Sequence, residues 1–160
     1  MGNEGKRGMK NNKIALICSS GGHFLQLYSL KDFWSKYDHF WVTFDAVDTS
    51  VLLADEKKVF AYHPTNRNLP NLIKNLFLAI RILRKEKPSL VISTGAGVAV
   101  PFMYVSKFLG IRTAYIESIT RVADISMSGK FVYFIVDDFL VQWPELATKY
   151  RKAKYLGQVI

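Results

Sequence analysis

The chain has 160 residues, 49% of them hydrophobic, with a formal net charge of +9 and one cysteine. That length suits one domain with a real core, and a lone Cys18 excludes an internal disulfide framework, as expected of a reducing cytosol. The basic excess asks for an acidic partner, of which nucleic acid and anionic membrane are the general options; no apolar run reaches the ~20 residues that would span a bilayer, and no secretory signal pattern is present.

Residues 1–12 carry lysine and arginine among glycine and asparagine, with no apolar run. They are expected to be a disordered leader or tail, with Met9 as a candidate start, ahead of one domain over 13–160. From there strand and helix patterns alternate. Strands are expected at 14–18, 39–44, 59–63, 90–93, 113–117 and 139–142, with a short one at 154–156. Helices are expected at 24–36, 49–54, 69–87, 98–109, 128–136 and 144–150. Several strands are apolar without alternation, as in parallel strands covered on both faces. The fold class is therefore α/β: a Rossmann-like, mostly parallel sheet with helices on both faces.

In such a sheet ligands bind at the carboxyl ends of the strands, and the chemistry-bearing loops fall there. Ser19-Ser20-Gly21-Gly22-His23 follows the first strand and opens a helix. A glycine turn at that junction lets the backbone approach a phosphate, and His23 adds an ionisable group beside it. Thr94-Gly95-Ala96-Gly97 repeats the arrangement after the fourth strand. Two such turns are expected to grip the two phosphates of a diphosphate, with Ser20, Gly21, Gly22, Thr94, Gly95, Ala96 and Gly97 as binding residues. Arg67 and Arg121 sit in loops on the same edge and suit bidentate phosphate contacts. Glu117 ends the fifth strand and is the acid expected to face the cleft, with an N-cap or surface pair as its structural alternative. The turns lack G-x-G-x-x-G, and no P-loop lysine–serine pair occurs, which disfavours NAD and ATP. No metal site is expected. Cys18 is expected to be a buried strand residue.

The segment 69–87 is apolar around much of a helix and basic toward its end. A buried helix accounts for most of it; the excess, with Lys74, Arg81, Arg84 and Lys85, also suits contact with anionic lipid. Nucleic acid is disfavoured, because no recognition helix, paired RNA-stacking aromatics or zinc finger is present.

Ser19–His23, the stretch 88–97, Tyr115-Ile116-Glu117-Ser118-Ile119-Thr120-Arg121-Val122, Ser126-Met127-Ser128-Gly129-Lys130, Val141-Gln142-Trp143-Pro144-Glu145-Leu146 and Lys154-Tyr155-Leu156-Gly157, taken together and in order, resemble the Alg14 family. The set also resembles the amino-terminal half of MurG-type enzymes. The resemblance implies one half of a GT-B glycosyltransferase. This half would recruit its partner to the membrane and bind a polyprenyl-diphosphate-linked sugar acceptor. An Alg13-like (PssE-type) partner would supply most of the site for a nucleotide-sugar donor, and no cofactor is implied. It also implies a base for an inverting transfer, with His23 the first choice and Glu117 the second. Eukaryotic members carry an N-terminal membrane helix that residues 1–13 do not resemble, so the expected location is cytoplasmic and peripheral on the inner face of the plasma membrane. Two other functions stay open at this stage: an anchoring protein without a catalytic residue of its own, and a self-sufficient Rossmann enzyme acting on a phosphorylated metabolite.

Overall fold

The computed structural model describes residues 12–159; the expected leader lies outside them but for Asn12. Seven strands form one parallel sheet in the order β3-β2-β1-β4-β5-β6-β7. They are β1 (Ile14–Ile17), β2 (His39–Thr43), β3 (Lys58–Phe60), β4 (Leu90–Ser93), β5 (Arg112–Ile116), β6 (Asp138–Leu140) and β7 (Ala153–Lys154). The helices are α1 (Gly22–Tyr28), α2 (Lys31–Trp34), α3 (Val47–Leu52), α4 (Leu69–Glu86), α5 (Ala99–Phe108), α6 (Met127–Val132) and α7 (Pro144–Lys149). The fold class expected from sequence is the one observed.

Strand side chains alternate between two apolar layers. Ala15 and Ile17 join the layer under α4–α7, with Leu78, Ala79, Ile82, Leu83, Phe102 and Met103. Ile14, Leu16 and Cys18 join the layer under α1–α3, with Phe24, Leu27, Trp34, Trp41 and Leu53. Burial on both faces explains why β1 reads as a continuous apolar run. Chain progression runs β1, β2, β3 toward one edge, then jumps to β4 and runs to the other. The reversal leaves a crevice between the carboxyl ends of β1 and β4, the topological switch point where open α/β sheets hold ligands.

Local differences from the expected elements have identifiable causes. The helix expected over 24–36 breaks after Tyr28. Ser29 Oγ turns back to Gln26 O at 2.8 Å, and the break lets Trp34 fold under, 5.3 Å edge-on to Trp41. The helix expected over 128–136 starts one residue earlier, because Ser126 caps it by accepting from Gly129 N at 2.9 Å, and its helical run ends sooner, at Val132. The third strand starts and ends earlier than 59–63, and Tyr62 is tied instead to Asn75, a fully buried α4 residue. α4 starts where expected, at Leu69, and ends one residue early, at Glu86. Asn68 caps it, and Lys87 closes it in a left-handed conformation, φ 48°, before Pro88, where the residue preceding proline resists the α region.

Candidate active site

The two glycine turns meet at the switch point. His23 Nδ1 lies 2.7 Å from Thr94 O, and Thr94 Oγ1 donates to His23 O at 2.6 Å. A carbonyl only accepts, so Nδ1 carries the proton. In the neutral ring the open lone pair is then on Nε2, which has no hydrogen-bond partner among the described residues. The imidazole is half-buried at the cleft. A fixed histidine with a free Nε2 has the arrangement of a general base.

The first turn is open. Gly21 and Gly22 are exposed, and a Cβ on either would meet nothing within 4 Å. Gly21 also needs its lack of a side chain for conformation, with φ 76° and ψ −139°. Its N–H is engaged: Asp48 Oδ2 accepts it at 2.7 Å. Asp48 stands in the first turn of α3, which Thr49 anchors through Phe44 O at 2.6 Å. An internal carboxylate therefore occupies one donor of the turn that sequence reasoning assigned to phosphate. Ser20 is half-buried beside it.

The other expected residues distribute unevenly. Thr94 is 0% exposed and Gly95 is buried, so neither presents a side to a ligand in the cleft. Ala96 and Gly97 are half-buried, Ala96 with φ 68°. The loop after β3 touches this turn, because a Cβ on Gly97 would stand 2.9 Å from Thr65. Arg67 in that loop is exposed, with φ 49°. Arg121 is exposed in the loop after β5. That loop is tied to α1 by Gln26, whose Nε2 donates to Glu117 O at 2.9 Å. Four loops thus join at one sheet edge through direct contacts.

Glu117 does not face the cleft. It is 0% exposed, and its carboxylate accepts from Ser118 N at 2.9 Å, Ser126 N at 2.8 Å and Ser126 Oγ at 3.0 Å. Gly129 leaves the space Oε2 fills, since a Cβ there would lie 2.4 Å from it. The expected second-choice base is instead the buried anchor of the Ser126 cap. A carboxylate that holds three donors and is shut from solvent is out of a substrate's reach. Sequence reasoning missed Asp48, Gln26 and Tyr115 as neighbours of the site; a polar residue inside the apolar pattern of α1 was the one available signal, for Gln26. Cys18 is buried and bonded to Thr43, and burial pushes its thiol up to about 12, which removes it as a nucleophile.

A hollow of about 410 Å³ lined by Lys107, Gly110, Ile111, Arg112 and Asp137 lies at the opposite, amino-terminal edge of the sheet. Its charges are matched, Lys107 to Asp137 at 3.1 Å and Arg112 to Asp138 at 2.9 Å. It offers a ligand no unmatched anchor comparable to the switch point.

On α4 the exposed arc is apolar. Leu69, Leu72, Ile73, Leu76 and Phe77 recur at helical spacing and are exposed, Leu69 and Phe77 by 65% and 66%. Core contact uses the other arc, Asn75, Leu78, Ala79, Ile82 and Leu83. Lys74, Arg81, Arg84 and Lys85 are exposed beside the apolar stripe. Tyr104, Phe108, Phe131 and Phe134, on α5, α6 and the turn after it, are exposed too. No helix among the described residues is long and apolar enough to cross a membrane.

Sheet order and the switch-point crevice define a Rossmann-like α/β domain. Solved structures agree on the fold. MurG from Acinetobacter baumannii superposes with a TM-score of 0.73 at 16% identity, over 91% of this chain and 45% of that one. A UDP complex of S. aureus MnaA superposes with a TM-score of 0.74 at 13% identity, over 92% and 44%. Within that class, the profile described as "Oligosaccharide biosynthesis protein Alg14 like" matches residues 63–159, and the chain belongs to the Alg14 family. Relatives named UDP-N-acetylglucosamine transferase subunit ALG14 include that of Debaryomyces hansenii, 29% identical over 100% of this chain and 84% of the relative. The human protein is 38% identical over 55% of this chain and 44% of its own length. The Schizosaccharomyces pombe protein is 46% identical over 45% and 37%. The matched segments thus span less than half of the human and fission-yeast relatives.

Proposed function

We propose that this chain is the acceptor-binding subunit of a two-component glycosyltransferase. It transfers a sugar from a nucleotide-sugar to a polyprenyl-diphosphate-linked saccharide in polysaccharide biosynthesis. The observation that carries this is His23 at the switch point, its Nδ1 held by Thr94 O and its Nε2 left as the open base. Family membership adds the transferase class, and the relatives' name adds the word subunit and UDP-N-acetylglucosamine as the first donor to try. In the reaction His23 Nε2 takes the acceptor hydroxyl's proton as that oxygen bonds to the anomeric carbon. The bond from that carbon to the donor diphosphate breaks, and the nucleoside diphosphate leaves with the electron pair. Ser20, Gly21 and Gly22 face the acceptor diphosphate, flanked by Arg67 and Arg121. An Alg13-like partner supplies most of the donor site.

The chain works against an anionic membrane, on the cytoplasmic face, through the exposed arc of α4. Its apolar stripe enters the headgroup boundary while Lys74, Arg81, Arg84 and Lys85 meet anionic lipid, each worth about 1 kcal/mol near such a surface. Flotation with vesicles containing phosphatidylserine tests this. Neutralising Arg81, Arg84 and Lys85 together lowers binding by at least tenfold; equal flotation of the variant contradicts it.

The transfer reaction is tested by co-expressing the chain with an Alg13-like partner and assaying sugar transfer to a polyprenyl-diphosphate sugar. His23→Ala lowers kcat roughly 10²- to 10⁴-fold, the usual range for losing a general base, with the complex intact. Wild-type turnover by an intact His23→Ala complex would leave the chain an acceptor-binding and anchoring protein. Turnover by the purified chain alone would overturn the two-component assignment.

A further inference from the structure

The two glycine turns look alike in sequence, yet the second has no room for a phosphate role at its centre. Thr94 is wholly buried and spends its carbonyl and its hydroxyl on His23, the carbonyl on Nδ1 at 2.7 Å and the hydroxyl on the His23 carbonyl at 2.6 Å. Gly95 has φ 116°, and the place where a Cβ would stand is taken: Tyr115 OH at 2.9 Å, His23 Cε1 at 3.1 Å and His23 Nδ1 at 3.3 Å. Its N–H goes to Ser93 Oγ at 3.1 Å. Gly97 is glycine because Thr65 Cβ and Oγ1 lie 2.9 Å from its missing Cβ. Both glycines are explained by protein atoms packed against them.

We infer that the Thr94–Gly95 turn is a seat for the His23 imidazole, fixing the Nδ1–H tautomer and leaving Nε2 as the reactive nitrogen, in place of a second phosphate grip. Thr94 and Gly95 are positioning residues that act through His23. Thr94 O selects the tautomer, since only a protonated Nδ1 bonds a carbonyl. Gly95 lets the ring come close enough to reach it. Tyr115 backs the turn, and its hydroxyl is held by Ser126 Oγ at 3.2 Å. Ser126 is in turn held by the buried Glu117. The buried polar line from Glu117 through Ser126 and Tyr115 thus ends on the glycine against which the imidazole lies. The catalytic value of the seat rests on His23 being the base; its effect on the ring does not.

The test is the tautomer itself, read by long-range ¹H–¹⁵N correlation of the His23 imidazole in the purified chain. The wild-type protein and Thr94→Ser show a protonated Nδ1 and an unprotonated Nε2 in the neutral ring. Thr94→Val removes the hydroxyl bond and lets the two tautomers mix. Gly95→Ala drives a methyl into the ring and Tyr115, and shifts the population to Nε2–H. In the reconstituted pair Thr94→Val and Gly95→Ala lower kcat more than tenfold, with the acceptor KM changed less than twofold, and move the pH profile. Thr94→Ser restores both. An Nε2–H tautomer in the wild-type chain overturns the proposal without recourse to any variant, even if Gly95→Ala does not fold. An unchanged tautomer in Thr94→Val together with a raised acceptor KM overturns it in favour of a phosphate grip. If the tautomer shifts as stated while His23→Ala turns over normally, the seat stands and only the base assignment falls.

Discussion

The open turn at Gly21–Gly22 and the packed turn at Gly95–Gly97 use the same residue for opposite reasons. In front of Gly21 and Gly22 there is space, with nothing within 4 Å of an added Cβ. Against Gly95 and Gly97 lie Tyr115, His23 and Thr65 at 2.9–3.1 Å. One pair lets a ligand approach the backbone; the other lets the protein approach itself. Glycine in a strand-to-helix turn reports that something comes close, and only the tertiary structure tells whether it is substrate or side chain.

Four variants sharpen that contrast, and the largest effect comes from behind the packed turn. Glu117→Gln keeps shape but gives up the charge that three donors share, one of them the N–H of the Ser126 cap. Charged hydrogen bonds are worth about 1.5–3 kcal/mol, so denaturant unfolding should show a loss of that order, with pyrophosphate binding at the open turn unchanged. A loss of binding with full stability would return Glu117 to the cleft.

The glycines themselves come next. Gly97→Ala overpacks against Thr65 and costs about 1–3 kcal/mol. Gly22→Ala meets no atom and stands in the first turn of α1, where alanine replaces the poorest ordinary helix former and gains up to about 1 kcal/mol. Opposite signs in unfolding free energy are expected. Matching destabilisation by both would erase the distinction between the turns.

Asp48→Asn is the subtlest. The carboxylate on Gly21 N competes with an incoming anion for one donor and repels it. Removing the charge should tighten inorganic pyrophosphate binding several-fold by calorimetry. Weaker binding would mean that Asp48 serves to shape the turn.

The sequence carried the architecture because strand–glycine–helix punctuation and unbroken apolar strands are local signals. It carried the edge on which the loops gather for the same reason. It did not carry the roles within that edge. Whether Gly95 is free or filled depends on Tyr115, a residue from the next strand, and Gly97 depends on Thr65 from the preceding crossover. Glu117 ends a strand, and its carboxylate turns inward because Ser126, from a loop beyond it, presents two donors. The stripe Leu69, Leu72, Ile73, Leu76 and Phe77 was visible as periodicity. Its exposure was not, because the adjoining arc of the same helix is also apolar and is the one that packs on the sheet.

The division between the turns is tested most directly by steady-state kinetics of Gly22→Ala and Gly95→Ala, side by side in the reconstituted pair. A methyl on Gly22 stands where the acceptor diphosphate would lie, so acceptor KM should rise roughly tenfold with kcat nearly unchanged. A methyl on Gly95 displaces His23, so kcat should fall more than tenfold with KM nearly unchanged. If both variants raise KM alike, the turns do one job and the account of the second is wrong.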